Sequence, residues 1–328
     1  MSGLLTNSIY AALFAFALCV ILCPVLIPFL TRFKFGQNVR TDGPETHLKK
    51  AGTPTMGGVV IVLSLLAGSF FFINGSREAA DVLIMTAAFG LIGFADDYIK
   101  IAKKRADGLL PYQKLIAQLI PTCYFIWRTY VTGADMTVYI PFTDIFLDLG
   151  YLTAPFIVCA VLGFVNGVNL TDGLDGLASG VTALVAVFLF FIAFATDSRL
   201  AVVAGGAVGA LLGFLLFNSH PAKIFMGDTG SLALGGLVSA TAISLRMPIV
   251  VVIVGMVYFA ESLSSLLQVA WFKITKKVYG KGRRIFKMAP LHHHFEQSGY
   301  KETQIVAMFY VFTAIMCLVG FLAVRKVL

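Results

Sequence analysis

The sequence predicts an all-α, polytopic integral membrane protein: one transmembrane domain over residues 1–328, with ten membrane-spanning helices and both termini extracytoplasmic. Hydrophobic residues make up 58% of the 328, and the mean hydropathy is +0.87, which is more apolar surface than a water-soluble core can bury. The apolar residues fall in runs of roughly 20, enough to cross a hydrocarbon layer of about 30 Å as helices that satisfy their own backbone hydrogen bonds. Basic residues cluster on alternate connections between these runs, as the positive-inside rule requires.

Taken in order, the spans are 9–30, 54–73, 82–99, 113–131, 151–168, 178–195, 200–217, 231–245, 249–272 and 304–324. The first is an unbroken apolar run preceded by no basic residue, so it lacks the charged start of a cleaved leader. The second opens on Pro54 and Gly57-Gly58, and the third closes on Asp96-Asp97. A polar outward loop carrying Asp135, Asp144 and Asp148 follows the fourth and reads as solvated. The fifth and sixth flank a glycine-rich polar connection. The seventh (Ala204, Gly205, Gly206, Ala207, Gly209, Ala210) and the eighth (Gly235, Gly236) suit close helix contact better than lipid exposure, which places them inside the bundle. The ninth reads as one continuous helix with Glu261 near its middle, beside Ser262, Ser264 and Ser265. Intramembrane carboxylates are functional candidates, but a hydrogen bond to a neighbouring helix also accounts for Glu261, and it is left outside the catalytic set.

Connections after the odd-numbered spans hold 19 of the 25 Lys and Arg, which assigns them to the cytoplasm. The net charge of +8 therefore lies mainly where it can hold anionic headgroups or an anionic substrate, and no nucleic-acid partner is expected. The five cysteines fall within spans, form no CxxC pair and read as packing residues.

Five aspartates among only 17 acidic residues sit at the ends of apolar runs, and under this topology all five reach the cytoplasmic face. Asp96 and Asp97 repel one another unless a divalent cation or a proton lies between them, and they oppose the dipole of the helix they close. In Asn166-Gly-Val-Asn169-Leu-Thr-Asp172-Gly-Leu-Asp175-Gly176, Asn, Thr and Asp beside three glycines let backbone approach a ligand closely. A helix cap would need only Thr171 or Asp172. Phe225-Met226-Gly227-Asp228 repeats that chemistry, with Asp228 either a cap or a hard oxygen ligand for Mg²⁺. Lys49, Lys50 and Thr55 form a basic, hydroxyl-bearing helix start suited to phosphate. His292-His293-His294 could bind metal, donate hydrogen bonds to phosphate or lie idle in a loop.

Five motifs in order, GTPTMGG (52–58), DDYIK (96–100), NLTDGLDGLA (169–178), FMGDTGSLALGG (225–236) and MAPLHHHFE (288–296), closely resemble the bacterial phospho-N-acetylmuramoyl-pentapeptide transferases, of the polyprenyl-phosphate N-acetylhexosamine-1-phosphate transferase superfamily. The likeness runs nearly end to end, with Tyr300 where the family pattern has Trp. It implies transfer of phospho-MurNAc-pentapeptide from UDP-MurNAc-pentapeptide to undecaprenyl phosphate in peptidoglycan synthesis, yielding lipid I and UMP, with Mg²⁺. It also implies a homodimer in the bacterial inner membrane with its active site facing the cytoplasm. By the same resemblance Asp228 holds the metal, Asp96 and Asp97 serve the polyprenyl phosphate and catalysis, and Asp175 and Phe225 form the uracil pocket. Asn169, Asp172 and Asn218 line the nucleotide and sugar region, and Lys49, Lys50, Lys100, Lys114, His292 and His293 serve anionic groups. A sister GlcNAc-1-phosphate transferase is the nearest alternative, which HHHFE disfavours. An ion-coupled transporter is the alternative from another class, disfavoured because transport carboxylates gather near the bilayer midplane.

Overall fold

Residues 2–32, 52–103 and 107–327 are described in a computed structural model. It is a helical bundle with an apolar exterior. The helices are α1 (Ser2–Arg32), α2 (Gly58–Phe70), α3 (Arg77–Ala102), α4 (Pro111–Thr132), α5 (Thr153–Thr171), α6 (Leu177–Ala195), α7 (Leu200–Asn218), α8 (Gly227–Ser244), α9 (Pro248–Val254), α10 (Met256–Tyr279), α11 (Leu291–Glu296) and α12 (Glu302–Val324). Leu13, Ile21 and Val25 of α1 and Val311, Ile315 and Leu318 of α12 point outward, so the surface of this bundle is made for lipid.

The interior is organised by small residues. Gly205, Gly209 and Gly213 form a ridge on α7 at four-residue spacing, and α1 lies directly on it. A Cβ at Gly209 would sit 1.9 Å from the Ala12 carbonyl oxygen, so the two backbones touch. Helix α8 is likewise enclosed: a Cβ on Gly235 would meet Val165 of α5, and one on Gly236 would meet Phe89 of α3. Both spans expected inside the bundle are indeed buried over most of their length.

Six helices among the described residues are long and apolar enough to cross a membrane, seven if α9 and α10 count as one span. The other three expected spans are present as helices of a different character. Helix α2 has only 13 residues, α4 is interrupted by Lys114, Gln118 and Arg128, and α8 is rich in Gly, Ser and Thr. The polar content of α8 is tolerated because neighbouring helices surround it, whereas α4 buries Gln118 and Thr122 and turns Leu115, Ile116, Ile120 and Trp127 outward.

One expectation is corrected. The ninth span is broken: α9 and α10 meet at an 80° bend. Gly255 leaves helical geometry there, its N–H still bonding the Val251 carbonyl 2.7 Å away while its own carbonyl accepts from Tyr258 N–H at 2.9 Å. A side chain at this position would press on the Tyr258 ring, so glycine permits the bend. The loop after α4 leaves Asp135, Asp144 and Asp148 exposed, as expected of a solvated loop, and it also contains a short antiparallel hairpin, β1 (Val138–Tyr139) and β2 (Phe146–Leu147), paired Val138↔Leu147 and Tyr139↔Phe146. Tyr139 is fully buried and donates to the carbonyls of Thr143 (2.6 Å) and Ala323 (2.9 Å), anchoring the loop to the end of α12.

Gly209→Val is expected to force α1 from α7 and cost about 1–3 kcal/mol, the range for overpacking a filled interior. Gly3→Ala, whose Cβ meets nothing within 4 Å, is the matched control. Thermal unfolding in detergent checks both, with a lowered midpoint for the first variant only.

Candidate active site

Helix α3 brings the carboxylate pair to its last two turns. Its start is set by Ser76, whose side chain accepts from Ala79 N–H at 3.3 Å, and its end carries Lys100, favourable to the helix dipole. One turn separates Asp96 from Lys100, which places Lys100 Nζ 2.6 Å from Asp96 Oδ2. Asp96 Oδ1 accepts the Leu109 backbone N–H at 2.8 Å, an approach open because residue 108 is glycine.

Asp97 is turned toward α8. Its carboxylate accepts from the backbone N–H groups of Asp228 (3.1 Å) and Thr229 (2.9 Å) and from the Thr229 hydroxyl (2.7 Å). A carboxylate that strains the end of its own helix is thereby stabilised as the cap of another. Gly93 makes this possible, since a Cβ there would lie 2.0 Å from the Asp228 carbonyl oxygen.

Asp228, in the first turn of α8, is the centre of the cluster. Its Oδ2 accepts from Lys100 Nζ and Lys114 Nζ, each at 2.9 Å, and its Oδ1 accepts from Asn169 Nδ2 at 2.8 Å. Asn169 is itself fixed by Lys114 Nζ (3.2 Å) and by Ser231 Oγ, which accepts its second amide proton at 2.9 Å. One oxygen from each of Asp96, Asp97 and Asp228 lies within 4.8 Å of the others, a hard-oxygen set that could hold a metal ion.

The two glycine-rich stretches of residues 52–58 and 225–230 turn out to be one structure. Phe225 N–H donates to the Pro54 carbonyl, while Gly57 and Gly58 donate to the Phe225 and Met226 carbonyls, all at 2.8 Å. Gly227 has φ near 72°, and a Cβ there would strike Asp97 Oδ2 and Thr55 Oγ1. Thr55 and Phe225 are therefore held beside the aspartates. Lys49 and Lys50 lie outside the described residues.

Asp172 and Asp175 occupy the turn between α5 and α6. Desolvation pushes the Asp172 carboxyl up to about 8; the charges of Asp228 and Asp97 add to this and a hydrogen bond with the Gly227 backbone opposes it. Asp175 Oδ2 accepts from Ala222 N–H (3.1 Å) and lies 3.0 Å from His220 Nδ1, while its own N–H donates to Glu302 Oε1 at 2.7 Å. Asn218 is nearby but already committed, accepting from the Ser179 hydroxyl and donating to the Ile224 carbonyl. It pins the segment leading to Asp228.

His292 is buried, its Nδ1 3.1 Å from Glu261 Oε2 and its Nε2 against Gly173 of the same turn. His293 Nδ1 lies 2.8 Å from Glu296 Oε2. Through His292 the histidine segment reaches the Asp172–Asp175 turn. Sequence reasoning missed Thr229, His220 and Glu302, none of which stands out from ordinary loop or helix-end residues, and it set aside Glu261, whose intramembrane position was visible.

Residues 79–246 match Glycosyl transferase family 4, and residues 50–62 match the phospho-N-acetylmuramoyl-pentapeptide-transferase signature 1. A phospho-N-acetylmuramoyl-pentapeptide-transferase of Clostridioides difficile is 47% identical over 323 residues, 98% of each chain. The chain belongs to the phospho-N-acetylmuramoyl-pentapeptide transferase family. Its likeness to the transferases of that name from Acetivibrio thermocellus (45% identity, 97% of this chain and 95% of that one) and Clostridium novyi (47%, 97% of each) is equally continuous. Each of the five motifs, over its described residues, reaches either the aspartate cluster or the Asp172–Asp175 turn beside it.

Asp172 gives the site a measurable pH signature. Between the ordinary carboxylate value of 3.8 and about 8, the folded chain retains a proton that the unfolded chain has released, so this residue makes unfolding easier as pH rises through that window. With metal chelated, Asp172→Asn is expected to raise the unfolding midpoint relative to the parent at pH 8 and leave it unchanged near pH 4. Thermal melts of both proteins across that range check it.

Proposed function

We propose that this chain transfers phospho-MurNAc-pentapeptide from UDP-MurNAc-pentapeptide to undecaprenyl phosphate, releasing UMP and forming lipid I, in the first membrane step of peptidoglycan synthesis. The observation that carries the reading is the Asp228 cluster: a carboxylate held by two lysines and an asparagine, beside two further carboxylates, at the end of apolar helices. Phosphoryl transfer between two anions needs charge neutralisation and in-line positioning more than covalent chemistry from the protein. Placement at a membrane face lets a lipid acceptor meet a water-soluble donor.

The donor set fits Mg²⁺, since Asp96, Asp97 and Asp228 offer hard carboxylate oxygens and Lys100, on its flexible stem, already marks the spot as favourable to a cation. Asp228 is the proposed principal ligand. Bound there, the ion would supply charge stabilisation to the departing UMP. Asp96 is assigned to keeping the polyprenyl phosphate deprotonated, so that its oxygen can attack the phosphorus bearing the sugar in a single displacement. Asp97 holds the end of α8, and therefore Asp228, in register. Lys100 and Lys114, with Lys49 and Lys50, are assigned to the phosphates. Asn169 and Asp172 are assigned to the sugar side, Asp175 and Phe225 to the uracil, and His292 and His293 to anionic oxygens of the donor. Asn218 acts from behind, through the loop it pins.

The positive-inside distribution supports a cytoplasmic active site in a multi-pass inner-membrane protein with extracytoplasmic termini. A homodimer remains part of the proposal through the family.

Asp228→Asn and Asp96→Asn are each expected to leave a folded protein with lipid I formation reduced by about 10²-fold or more, the scale for loss of an electrostatic or acid–base group. Detergent-solubilised protein with undecaprenyl phosphate, Mg²⁺ and UDP-MurNAc-pentapeptide, read by UMP release, tests this. UDP-GlcNAc in place of the natural donor is expected to give no product; turnover of UDP-GlcNAc alone would assign the chain to the sister activity. UMP exchange into the donor without lipid acceptor would replace the single displacement by a two-step route.

A further inference from the structure

Glu261 and His292 form a buried pair that the reaction scheme above leaves half explained. Glu261 comes from α10, just beyond the bend at Gly255, and His292 from the short helix α11. Both side chains are essentially inaccessible, at 0% and 1% exposure, with His292 Nδ1 3.1 Å from Glu261 Oε2. Among the described residues, buried His292 Nε2 has no hydrogen-bond partner, and the same is true of Glu261 Oε1. The free nitrogen faces the Asp172–Asp175 turn so closely that a Cβ on Gly173 would lie 2.1 Å from it.

Burial constrains the protons of this pair. A net charge on two enclosed groups is costly, whereas two neutral arrangements are available: carboxylate with imidazolium, or carboxylic acid with neutral imidazole. In the first, both ring nitrogens carry protons. In the second, the acid donates to Nδ1 and the ring proton is on Nε2; the reverse bond, Nδ1–H to Oε2 with the acid proton on Oε1, is disfavoured because it strands that proton on an oxygen with no partner among the described residues. Either way Nε2 carries a hydrogen and presents it to the turn. Without the glutamate, a neutral imidazole is free to place its single proton on Nδ1 and leave Nε2 an acceptor. His293, whose ring lies 4.1 Å from that of His292, is occupied by Glu296 and does not compete for Glu261.

We infer that Glu261 is a positioning residue that fixes His292 as a hydrogen-bond donor, and that the acceptor is an oxygen of the nucleotide-sugar donor bound at the Asp172–Asp175 turn. The inference rests on the assignment of His292 to the donor substrate made above. The contact forms when the bound donor displaces the Gly173 turn, which glycine on both sides of Leu174-Asp175 allows to move. It gives the intramembrane glutamate a role in recognition without contact with the substrate.

Glu261→Gln is nearly isosteric and removes a buried carboxylate, so packing alone predicts little change in activity or melting. It is expected to lower kcat/KM for UDP-MurNAc-pentapeptide by about tenfold, the loss of one charge-assisted hydrogen bond, with KM for undecaprenyl phosphate unchanged. In a His292→Ala background the same substitution is expected to have less than about a twofold effect. Losses that multiply across the two sites would overturn the inference while leaving His292 in its proposed role. Wild-type activity in His292→Ala alone would remove that role and the inference with it. Histidine-selective ¹⁵N NMR, with the resonance assigned through His292→Ala, gives an independent reading: a protonated Nε2 in the parent supports the pair, and an unprotonated Nε2 overturns it.

Discussion

The contact between Asp97 and the first turn of α8 is the constraint on which the rest of the site depends. A helix that ends in two carboxylates is unfavourable by itself, and a helix start with unpaired amides is incomplete. Each defect satisfies the other: Asp97 takes three hydrogen bonds from Asp228 and Thr229, charge-assisted and worth roughly 1.5–3 kcal/mol each in such settings. The contact is reachable only because Gly93 and Gly227 let backbone and carboxylate meet without intervening side chains. Once it forms, Asp228 can point only where Lys100, Lys114 and Asn169 already converge.

Charge balance explains why such a cluster suits anionic substrates. Asp96, Asp97, Asp172 and Asp228 share the space with Lys100 and Lys114, leaving an excess of negative charge whose relief comes partly from protonation of Asp172. A divalent cation relieves the same excess and brings phosphate oxygens with it. The lysines sit on long, adaptable stems and can follow phosphate charge as it moves. Burial of Asp96 and Asp97 strengthens their interactions by lowering the local dielectric.

Glycine does most of the positioning. The ridge on α7 lets α1 pack backbone to backbone, the glycines of α8 admit α3 and α5, and Gly57-Gly58 joins two distant motifs by main-chain hydrogen bonds. Because these contacts are made by what the side chain lacks, they resist recognition by hydrophobicity, although they decide where Asp228 stands. Gly255 acts in the same way at the bend that carries Glu261 to the histidine segment.

The sequence alone determined the membrane class, nearly all of the helices, the inward placement of the seventh and eighth spans, and the set of aspartates. It could do so because hydrophobic run length is a local property and because a carboxylate beside lipid is too costly to be incidental. Tertiary structure decided the rest. It broke the ninth span at Gly255, folded a hairpin from the loop after α4, shortened the second span, placed charge in the fourth, and enclosed the polar eighth among its neighbours. It also divided chemically identical residues by partner: Asp97 caps α8, Asp228 gathers the lysines, Asp175 meets His220 and Glu302, and Asn218 is spent on its own loop. The roles of Asp97 and Asp228 depend on distances between segments more than a hundred residues apart, such as the 131 positions between the two, and no local pattern encodes them.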